Sequence, residues 1–393
     1  MKVLIISPKF HPVIGGGETF VLNSAKQLHD AGYDIHVAVE PHEMRDTSAY
    51  PYDVIEIEGL SDNKLDVIQS TAGLFKVIEK LQPDIIHVHG YFALLIVSFC
   101  NIHNIPVIAS IHSTPVWGER IVGGMGDFEA ELQFARSVLD AAKPAILTAA
   151  NEVYADAAVK IAEGRTEVKT FPYPVDVDYF YKQTDRSMRN DFTLKDTDVL
   201  LMTPSRIIER KGIREAVIAL SELPENFYLC LPGAVEPLDQ AYWDSITSSE
   251  EYQKVQSRVI VPKSKLLYEE MPYLYAASDI IVMPSYYEGA PVATVEAMAS
   301  GKPFVGADSQ GINSFIVNGK NGLLVPKKAT TELAAAIKLA YDNPSKSAEY
   351  ASQAKADIEH LSWPAQLKEL GEIYSSLIGI TNLVDSELAS RST

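Results

Sequence analysis

The sequence has 393 residues, of which 47% are hydrophobic and 22% are charged, and it carries a formal net charge of −18. This length is sufficient for two domains of ordinary size, and the composition is typical of globular proteins. The acidic charge argues against a nucleic-acid partner, because phosphates require a basic surface, and it disfavours docking on an anionic membrane.

The start of the chain, MKVLIISPKFHP, indicates a first β-strand rather than a signal peptide. No uncharged apolar run reaches the roughly 18–20 residues that a membrane span requires. Cys100 and Cys230 both lie in apolar runs, which favours buried thiols over a disulfide. We therefore expect a cytoplasmic protein without a transmembrane segment, and the sequence leaves its oligomeric state open.

The first half of the chain alternates short apolar runs with helical patterns such as Thr19–Ala31. This alternation predicts a parallel sheet with helices on both faces. The predicted strands of this half are Lys2–Ser7, Asp34–Val39, Val54–Glu58, Ile85–His89, Val107–His112, Ala145–Ala149 and Glu167–Phe171.

A proline-rich segment at 171–180 interrupts the alternation, and a second series follows it. Its predicted strands are Val199–Pro204, Phe227–Leu231, Val259–Val261, Ile280–Pro284, Pro303–Ala307 and Gly322–Val325, and its late helices lie near Thr331–Tyr341, Ser345–Glu359 and Pro364–Ile378. We expect an α/β chain of two doubly wound, Rossmann-like domains. Ligands of such sheets bind beyond the carboxyl ends of the strands, which here predicts a site in a cleft between the domains.

The most informative stretch is 279–308, which reads strand, loop, helix, strand. Pro291 suits the first helical turn and Gly301 suits the C-terminal cap, so the predicted helix is Pro291–Ser300. Glu288 lies on the loop before this helix and Glu296 lies within it. Because the helix is otherwise small and apolar, a carboxylate there is costly to bury without hydrogen bonds. The pattern favours ligand contact over a solvent-facing glutamate.

A second group of polar residues follows the predicted strand at 199–204. Arg206 and Lys211 come after the strand end, and Gly212 opens a helix. The planar guanidinium, the ammonium and the N–H groups of a helix start together suit a diphosphate. The alternative is a pair of solvated cations in a generally basic segment, since Arg210 and Arg214 lie beside them. Their position after a strand end favours Arg206 and Lys211 as ligands.

The first strand is followed by a loop with Gly15, Gly16 and Gly17, which lets backbone approach a ligand closely. GGGE is not the G-x-G-x-x-G fingerprint, so a dinucleotide cofactor is disfavoured, and a tight turn without a ligand is the simpler alternative.

Histidines follow two predicted strands of the first domain. His112 and, less strongly, His89 are candidates for contact with the ligand, whereas His87 and His103 fit structural roles. H-x-H without cysteine or carboxylate partners at ligand spacing is a weak zinc signal, so we expect no metal site.

With these residues in place, the chain resembles the retaining GT-B glycosyltransferases of glycosyltransferase family 4 over essentially its whole length. Five marks in order carry the resemblance: GGGE, HVHG with IHS, PSRIIERKG, the EGAPVATVEAMASGKP stretch, and GLLVP with SWPAQLKELGEIY. The resemblance implies residues 1–175 as an acceptor-side domain and 176–362 as a nucleotide-sugar donor domain. It further implies a helix at 363–380 that returns to the first domain, followed by a tail at 381–393.

The resemblance also implies a role for each candidate residue. Arg206 and Lys211 would bind the donor diphosphate and stabilise the leaving nucleotide, and Glu296 would accept hydrogen bonds from the ribose. Glu288 would hold hydroxyls of the donor sugar. The remaining contacts implied are amides of Gly289, Ala290 and Val292 near the sugar, Gly16 and Gly17 near the diphosphate from across the cleft, and His112 at the sugar or the acceptor.

The reaction implied is that of a retaining, metal-independent, hexosyltransferase-type enzyme without a cofactor, the nucleotide sugar being a co-substrate. A UDP-sugar is favoured over a GDP-sugar, and the acceptor would be a glycan, small molecule or protein. A glycine-rich stretch at 113–132, with Trp117 and Phe128, is predicted to face the acceptor. The alternatives are an epimerase or phosphorylase on the same fold, or a catalytically silent nucleotide-sugar-binding subunit.

Two departures from the family pattern stand out. The usual Pro-Asn-Gly-Val-Asp linker is Pro172-Tyr173-Pro174-Val175-Asp176 here, which stiffens the segment and removes an amide. The glycine-rich turn of the second sheet is only LPGAV at 231–235, so base contacts could instead involve the 261–268 stretch.

Overall fold

A computed structural model describes residues 1–13, 16–60, 66–100, 105–112, 128–262, 266–289 and 291–379. Four of the residues singled out above, Gly15, His103, Trp117 and Ala290, lie outside these described residues, as does most of the predicted acceptor-facing stretch. Phe128 begins a helix.

The chain divides into two compact units. Unit 1 comprises Met1–Pro174 together with the segment that begins at Trp363, and unit 2 comprises Val175–Ser362. The sequence placed Val175 in the first domain, but its N–H donates to the carbonyl of Leu361, 2.9 Å away within unit 2.

Unit 1 is built on a seven-stranded, fully parallel sheet of order β3-β2-β1-β4-β5-β6-β7. Its strands are β1 Lys2–Ile6, β2 Asp34–Val39, β3 Asp53–Glu56, β4 Ile85–His89, β5 Val107–Ile111, β6 Ile146–Ala149 and β7 Glu167–Thr170. Its helices before the linker are α1 Gly16–Asp30, α2 Val67–Leu81, α3 Tyr91–Phe99, α4 Phe128–Ala142 and α5 Glu152–Ala162. The strand order reverses between β1 and β4.

Unit 2 has a six-stranded parallel sheet of order β10-β9-β8-β11-β12-β13. Its strands are β8 Val199–Met202, β9 Phe227–Cys230, β10 Val259–Ile260, β11 Ile280–Met283, β12 Phe304–Ala307 and β13 Leu323–Val325. Its helices are α6 Val177–Tyr181, α7 Met188–Asp191, α8 Ile213–Ser221, α9 Gln240–Thr247, α10 Glu250–Val255, α11 Met271–Ala277, α12 Val292–Ala299, α13 Thr330–Asp342 and α14 Pro344–Asp357. The predicted pair of doubly wound parallel sheets is confirmed.

Two helix starts differ from the prediction. Helix α1 begins at Gly16, so Gly16 and Gly17 belong to its first turn rather than to a loop. Helix α12 begins at Val292, and Pro291 is its N-cap with φ −82° and ψ 57°, outside the helical region. Because the backbone of Pro291 is not helical, the helix begins at the next residue.

The last described helix, α15, spans Trp363–Leu377 and packs on unit 1 beside α1. The ring of Trp363 lies nearly parallel to that of Phe20, and the Tyr374 hydroxyl is 2.7 Å from Nδ1 of His87. Both Trp363 and Tyr374 are buried.

Candidate functional site

The strand order of unit 2 reverses between β8 and β11, and the loops that follow these strands bring Lys211 and Glu288 together. The Lys211 ammonium donates to both carboxylate oxygens of Glu288, each at 2.7 Å. Only 11% of the Lys211 side chain and 5% of the Glu288 side chain are exposed. Two residues that the sequence singled out separately therefore form one buried ion pair.

Close backbone packing holds the Lys211 segment against the Glu288 loop. Gly212 has φ +68°, and a Cβ there would lie 2.2 Å from the carbonyl oxygen of Pro284, so only glycine fits. The Tyr286 N–H donates to the carbonyl of Arg210 at 2.8 Å, and the Arg210 guanidinium donates to the carbonyl of Tyr287 at 3.2 Å. The two loops are thereby fixed along their length.

The turn after β12 supports Glu288 from its other side. The Glu288 N–H donates to the carbonyl of Gln310 at 2.9 Å. Gly311 has φ +91°, and a Cβ there would approach the carbonyl oxygen of Glu288 to 2.1 Å. Sequence reasoning missed Gly311 and Arg210. The signal for Gly311 was a lone glycine four residues beyond a strand, and the signal for Arg210 was a third cation near Arg206 and Lys211.

A hydrogen bond from a tyrosine side chain further ties the Glu288 loop to helix α8. The Tyr286 hydroxyl donates to Oε1 of Glu215 at 2.5 Å. Glu215 is buried in the first turn of α8, directly after the segment that carries Lys211. This contact was also missed, because a glutamate in a first helical turn is ordinarily explained by the helix dipole alone.

The two predicted cations differ in environment. Burial lowers the pKa of Lys211, an effect that Glu288 opposes, whereas Arg206 is exposed. The backbone of Arg206 is held by the turn at 231–235: a Cβ on Gly233 would lie 1.9 Å from the carbonyl oxygen of Ser205, and the Ile207 N–H donates to Ala234. Arg206 thus carries a solvent-exposed charge on a fixed backbone, whereas the charge of Lys211 is paired with that of Glu288.

Glu296 lies inside α12 and is buried. The Tyr275 hydroxyl donates to its Oε2 at 3.3 Å, and burial raises the pKa of Glu296 to about 8. One long hydrogen bond does not compensate a buried charge, so the group is a neutral acid at pH 7. Of the predicted amide donors nearby, Val292 begins α12 and Gly289 directly follows Glu288.

In unit 1, His112 lies beside the start of α1. A Cβ on Gly17 would be 3.6 Å from the His112 ring, so the two predicted residues are neighbours. His112 Nε2 is 2.7 Å from His89 Nδ1, and His112 Nδ1 is hydrogen-bonded to the Tyr173 hydroxyl. Both ring nitrogens therefore have partners, and a sugar hydroxyl would have to replace one of them. Burial lowers the pKa of His112 to about 4, which keeps the ring neutral.

His87 has partners only within the fold. Its Nδ1 is hydrogen-bonded to the Tyr374 hydroxyl and its Nε2 to the Ser110 hydroxyl, each at 2.7 Å. The Ser110 hydroxyl is in turn hydrogen-bonded to the Thr148 hydroxyl at 2.6 Å. Burial strongly lowers the pKa of this imidazole, to about 3. These contacts give His87 a structural role.

Within the described ranges, no cluster of three or more His, Cys, Asp or Glu side chains is arranged to hold a metal ion. In the same part of the chain, no helix has the length and apolar character needed to cross a membrane. Cys100 and Cys230 are free and buried, as predicted.

Two doubly wound parallel sheets in tandem, with cations and carboxylates gathered beyond the strand ends of the second, are the architecture of the GT-B glycosyltransferases. Family models match both parts of the chain: residues 14–171 match Glycosyltransferase Family 4, and residues 184–357 match Glycosyl transferases group 1. The chain belongs to the GT-B glycosyltransferases of the family 4 type.

Known relatives include D-inositol 3-phosphate glycosyltransferase of Rhodococcus erythropolis, 30% identical over 181 residues, or 46% of this chain and 38% of that protein. Glycogen synthase of Mycobacterium tuberculosis is 20% identical over 95% of this chain and 94% of its own.

Solved structures share the fold at low identity. Sucrose-phosphate synthase of Thermosynechococcus elongatus superposes with a TM-score of 0.81 at 19% identity, over 96% of this chain and 99% of that one. Anabaena HepE in complex with UDP and glucose gives 0.80 at 20% identity, over 96% and 100%.

Proposed function

We propose that this glycosyltransferase is a retaining, metal-independent enzyme that moves a sugar from a nucleotide-diphosphate sugar to a hydroxyl acceptor. The observation that carries the proposal is the buried Lys211–Glu288 pair near the exposed Arg206. A donor of this class presents an anionic diphosphate directly beside a hydroxylated sugar. The Lys211 cation suits the diphosphate, and the adjacent Glu288 carboxylate suits the hydroxyls of the sugar.

In the proposed reaction the bond between the anomeric carbon and the diphosphate oxygen breaks, and negative charge grows on the leaving nucleotide. Lys211 and Arg206 stabilise this charge as fixed cations, which removes the need for a metal ion. Glu288 accepts hydrogen bonds from the donor sugar, with the Gly289, Ala290 and Val292 amides nearby. Glu296 accepts hydrogen bonds from the ribose hydroxyls.

Retention requires an explanation for the absence of a carboxylate nucleophile in this scheme. Retaining hydrolases place a free carboxylate against the anomeric carbon. In the proposed donor complex Glu288 accepts hydrogen bonds from hydroxyls of the sugar and Glu296 from hydroxyls of the ribose, so neither carboxylate is free to attack the anomeric carbon. We therefore propose attack from the leaving-group face: the acceptor oxygen bonds to the anomeric carbon as the phosphate departs, and the acceptor hydroxyl gives its proton to that phosphate.

Unit 1 supplies the remaining proposed contacts. Gly16 and Gly17 lie in the first turn of α1, where N–H groups lack helical partners and suit the diphosphate. His112 contacts the sugar or acceptor after exchanging a hydrogen-bond partner. UDP is the favoured nucleotide, supported by the UDP complex of the similar HepE fold, and GDP is the second choice. The acceptor is a glycan, small molecule or protein.

The test is a screen of UDP-, GDP- and ADP-sugars that measures nucleotide release with and without candidate acceptors, in the presence and absence of EDTA. Transfer that depends on an acceptor and is insensitive to EDTA supports the proposal. Conversion of the donor without an acceptor would indicate an epimerase, and a requirement for inorganic phosphate would indicate a phosphorylase. Binding of donor without any turnover would indicate a silent subunit.

The cations provide the first mutational prediction. Arg206→Ala and Lys211→Ala should each lower kcat/KM by about 30- to 1,000-fold, the effect of losing roughly 2–4 kcal/mol of transition-state stabilisation. Lys254→Ala is the control, because Lys254 is an exposed cation on α10. Wild-type turnover in both Arg206→Ala and Lys211→Ala would show that the site is wrongly assigned.

A further inference from the structure

The Lys211–Glu288 ion pair has a consequence for which nucleotides the site retains. Both oxygens of Glu288 accept from one ammonium, and both side chains are nearly inaccessible. The proposed function assigns these two groups to different parts of the donor: Lys211 to the diphosphate and Glu288 to the sugar. A diphosphate that takes more than the one remaining N–H of this ammonium therefore competes with Glu288 for the same cation.

We infer that this ion pair makes the site select nucleotides that carry a sugar over the free nucleoside diphosphate. A nucleoside diphosphate that draws the Lys211 ammonium away leaves the Glu288 carboxylate buried with too few donors, which is unfavourable. A nucleotide sugar brings hydroxyl groups that donate to Glu288 in place of the ammonium. Only the complete donor satisfies both members of the pair.

One further cation limits the effect. A guanidinium nitrogen of Arg210 lies 3.8 Å from Oε2 of Glu288, but this nitrogen already donates to the Tyr287 carbonyl. Arg210 thus offsets part of the charge of Glu288 without replacing the two short bonds from Lys211. The size of the preference for a nucleotide sugar over the nucleoside diphosphate therefore depends on both Lys211 and Arg210.

The same competition acts on the product. After transfer, the nucleoside diphosphate has lost the sugar hydroxyls that satisfied Glu288, while Lys211 can return to the carboxylate. Re-formation of the Lys211–Glu288 ion pair therefore weakens binding of the nucleoside diphosphate when it has to leave. The inference rests on the proposed function, because it takes the donor to be a nucleotide sugar.

The experiment compares dissociation constants by calorimetry for UDP and UDP-glucose, GDP and GDP-mannose, and ADP and ADP-glucose. The nucleotide pair that binds wild type is then measured on Glu288→Gln. The amide is similar in shape but neutral and holds the ammonium more weakly than the carboxylate does, so the variant should bind the nucleoside diphosphate about tenfold tighter or more, which corresponds to about 1.4 kcal/mol or more. Its preference for the sugar-bearing nucleotide should shrink toward unity.

Arg210→Gln serves as the opposing variant. It removes the second cation near Glu288, so the wild-type preference for the sugar-bearing nucleotide should widen. Opposite changes in the two variants cannot come from general loosening of the loop, and circular dichroism checks that both are folded. If Glu288→Gln folds poorly, Glu288→Ala takes its place with the same expected direction.

The outcomes separate this inference from the proposed function. If wild type binds and turns over a nucleotide sugar but Glu288→Gln binds the nucleoside diphosphate no tighter, the inference alone is wrong. A narrower preference in Arg210→Gln would likewise overturn it. If none of the three nucleotide pairs binds wild type, the proposed function and the inference are both overturned.

Discussion

Glu296 shows how one buried group can link pH to ligand binding. Its pKa is raised to about 8 by burial, so the side chain carries a proton at pH 7. Ribose hydroxyls hydrogen-bond more strongly to a carboxylate than to a neutral acid. Binding of the proposed donor therefore favours loss of that proton.

We expect donor affinity to rise between pH 6 and 8 and Glu296→Gln to remove most of this rise, as measured by calorimetry at constant ionic strength. At higher pH this rise should be opposed, because burial lowers the pKa of Lys211. A wild-type affinity that is flat over this range would contradict the protonated state.

Stability should change in the opposite direction with pH. The pKa of Glu296 is higher in the folded chain than its ordinary value of 4.5, so its contribution is fully present below pH 4.5 and is lost as pH rises through about 8. Urea unfolding of unit 2 followed from pH 5 to 8 should show this decline, and Glu296→Gln should reduce it. An equal decline in both proteins would assign the effect to other groups.

The positions of the candidate site residues in the fold were predictable, because parallel sheets present the carboxyl ends of their strands along one edge. Lys211 and Glu288 each follow such an end. Their pairing was not predictable, because the two residues are 77 positions apart and depend on the tight fit of Gly212 and Gly311. Nor did the sequence indicate that His112 would have both ring nitrogens occupied, since Tyr173 departs from the family pattern.

At the scale of elements, helix α15 is joined to the sheet of unit 1 by a hydrogen bond inside the core. Tyr374 is fully buried, and its hydroxyl is 2.7 Å from Nδ1 of His87 on β4. Ser110 and Thr148 extend this polar chain across β5 and β6. The attachment of α15 therefore depends on a hydrogen bond as well as on apolar packing.

Tyr374→Phe should lower the free energy of unfolding of unit 1 by about 1–3 kcal/mol, because it leaves a buried imidazole nitrogen without its partner. The measurement is hydrogen exchange at the amides of β4 and α15. Tyr341→Phe is the matched control, since Tyr341 is 46% exposed and lies in unit 2. Equal effects of the two substitutions would show that the Tyr374 hydroxyl contributes nothing particular.

The element boundaries were largely readable from apolar runs and helical spacing. The start of α1 was not, because glycines are poor helix formers and their run at 15–17 reads as a loop. The helix nevertheless extends back to Gly16, and Gly17 lies against the His112 ring, where a larger residue would face that ring at van der Waals distance. The glycine run therefore gave no signal for where this helix begins.

At the scale of the whole molecule, unit 1 depends on a segment that is remote in sequence. Trp363, Leu370, Ile373 and Tyr374 of α15 are all buried. Each buried side chain of this kind contributes roughly 1.5–3 kcal/mol. Losing all four at once is a large change against the small net stability of a typical domain, roughly 5–15 kcal/mol.

Truncation after Ser362 should therefore unfold unit 1 while leaving unit 2 folded. Hydrogen exchange is expected to become fast at β1 and β4 and to stay slow at β8 and β11. Truncation after Gly379 keeps α15 and is the control. Protection of β1 and β4 in the shorter chain would show that α15 is dispensable for unit 1.

Unit 2 is closed at its own ends. The N–H of Val175, its first residue, donates to Leu361 at 2.9 Å, and Val175 also forms a parallel bridge with Ser362, its last. A stretch whose ends meet can be excised and replaced without stretching the chain on either side. Residues 175–362 therefore form a unit whose first and last residues are neighbours. Recombination at these two points would replace unit 2 as a whole and keep the chain continuous on either side.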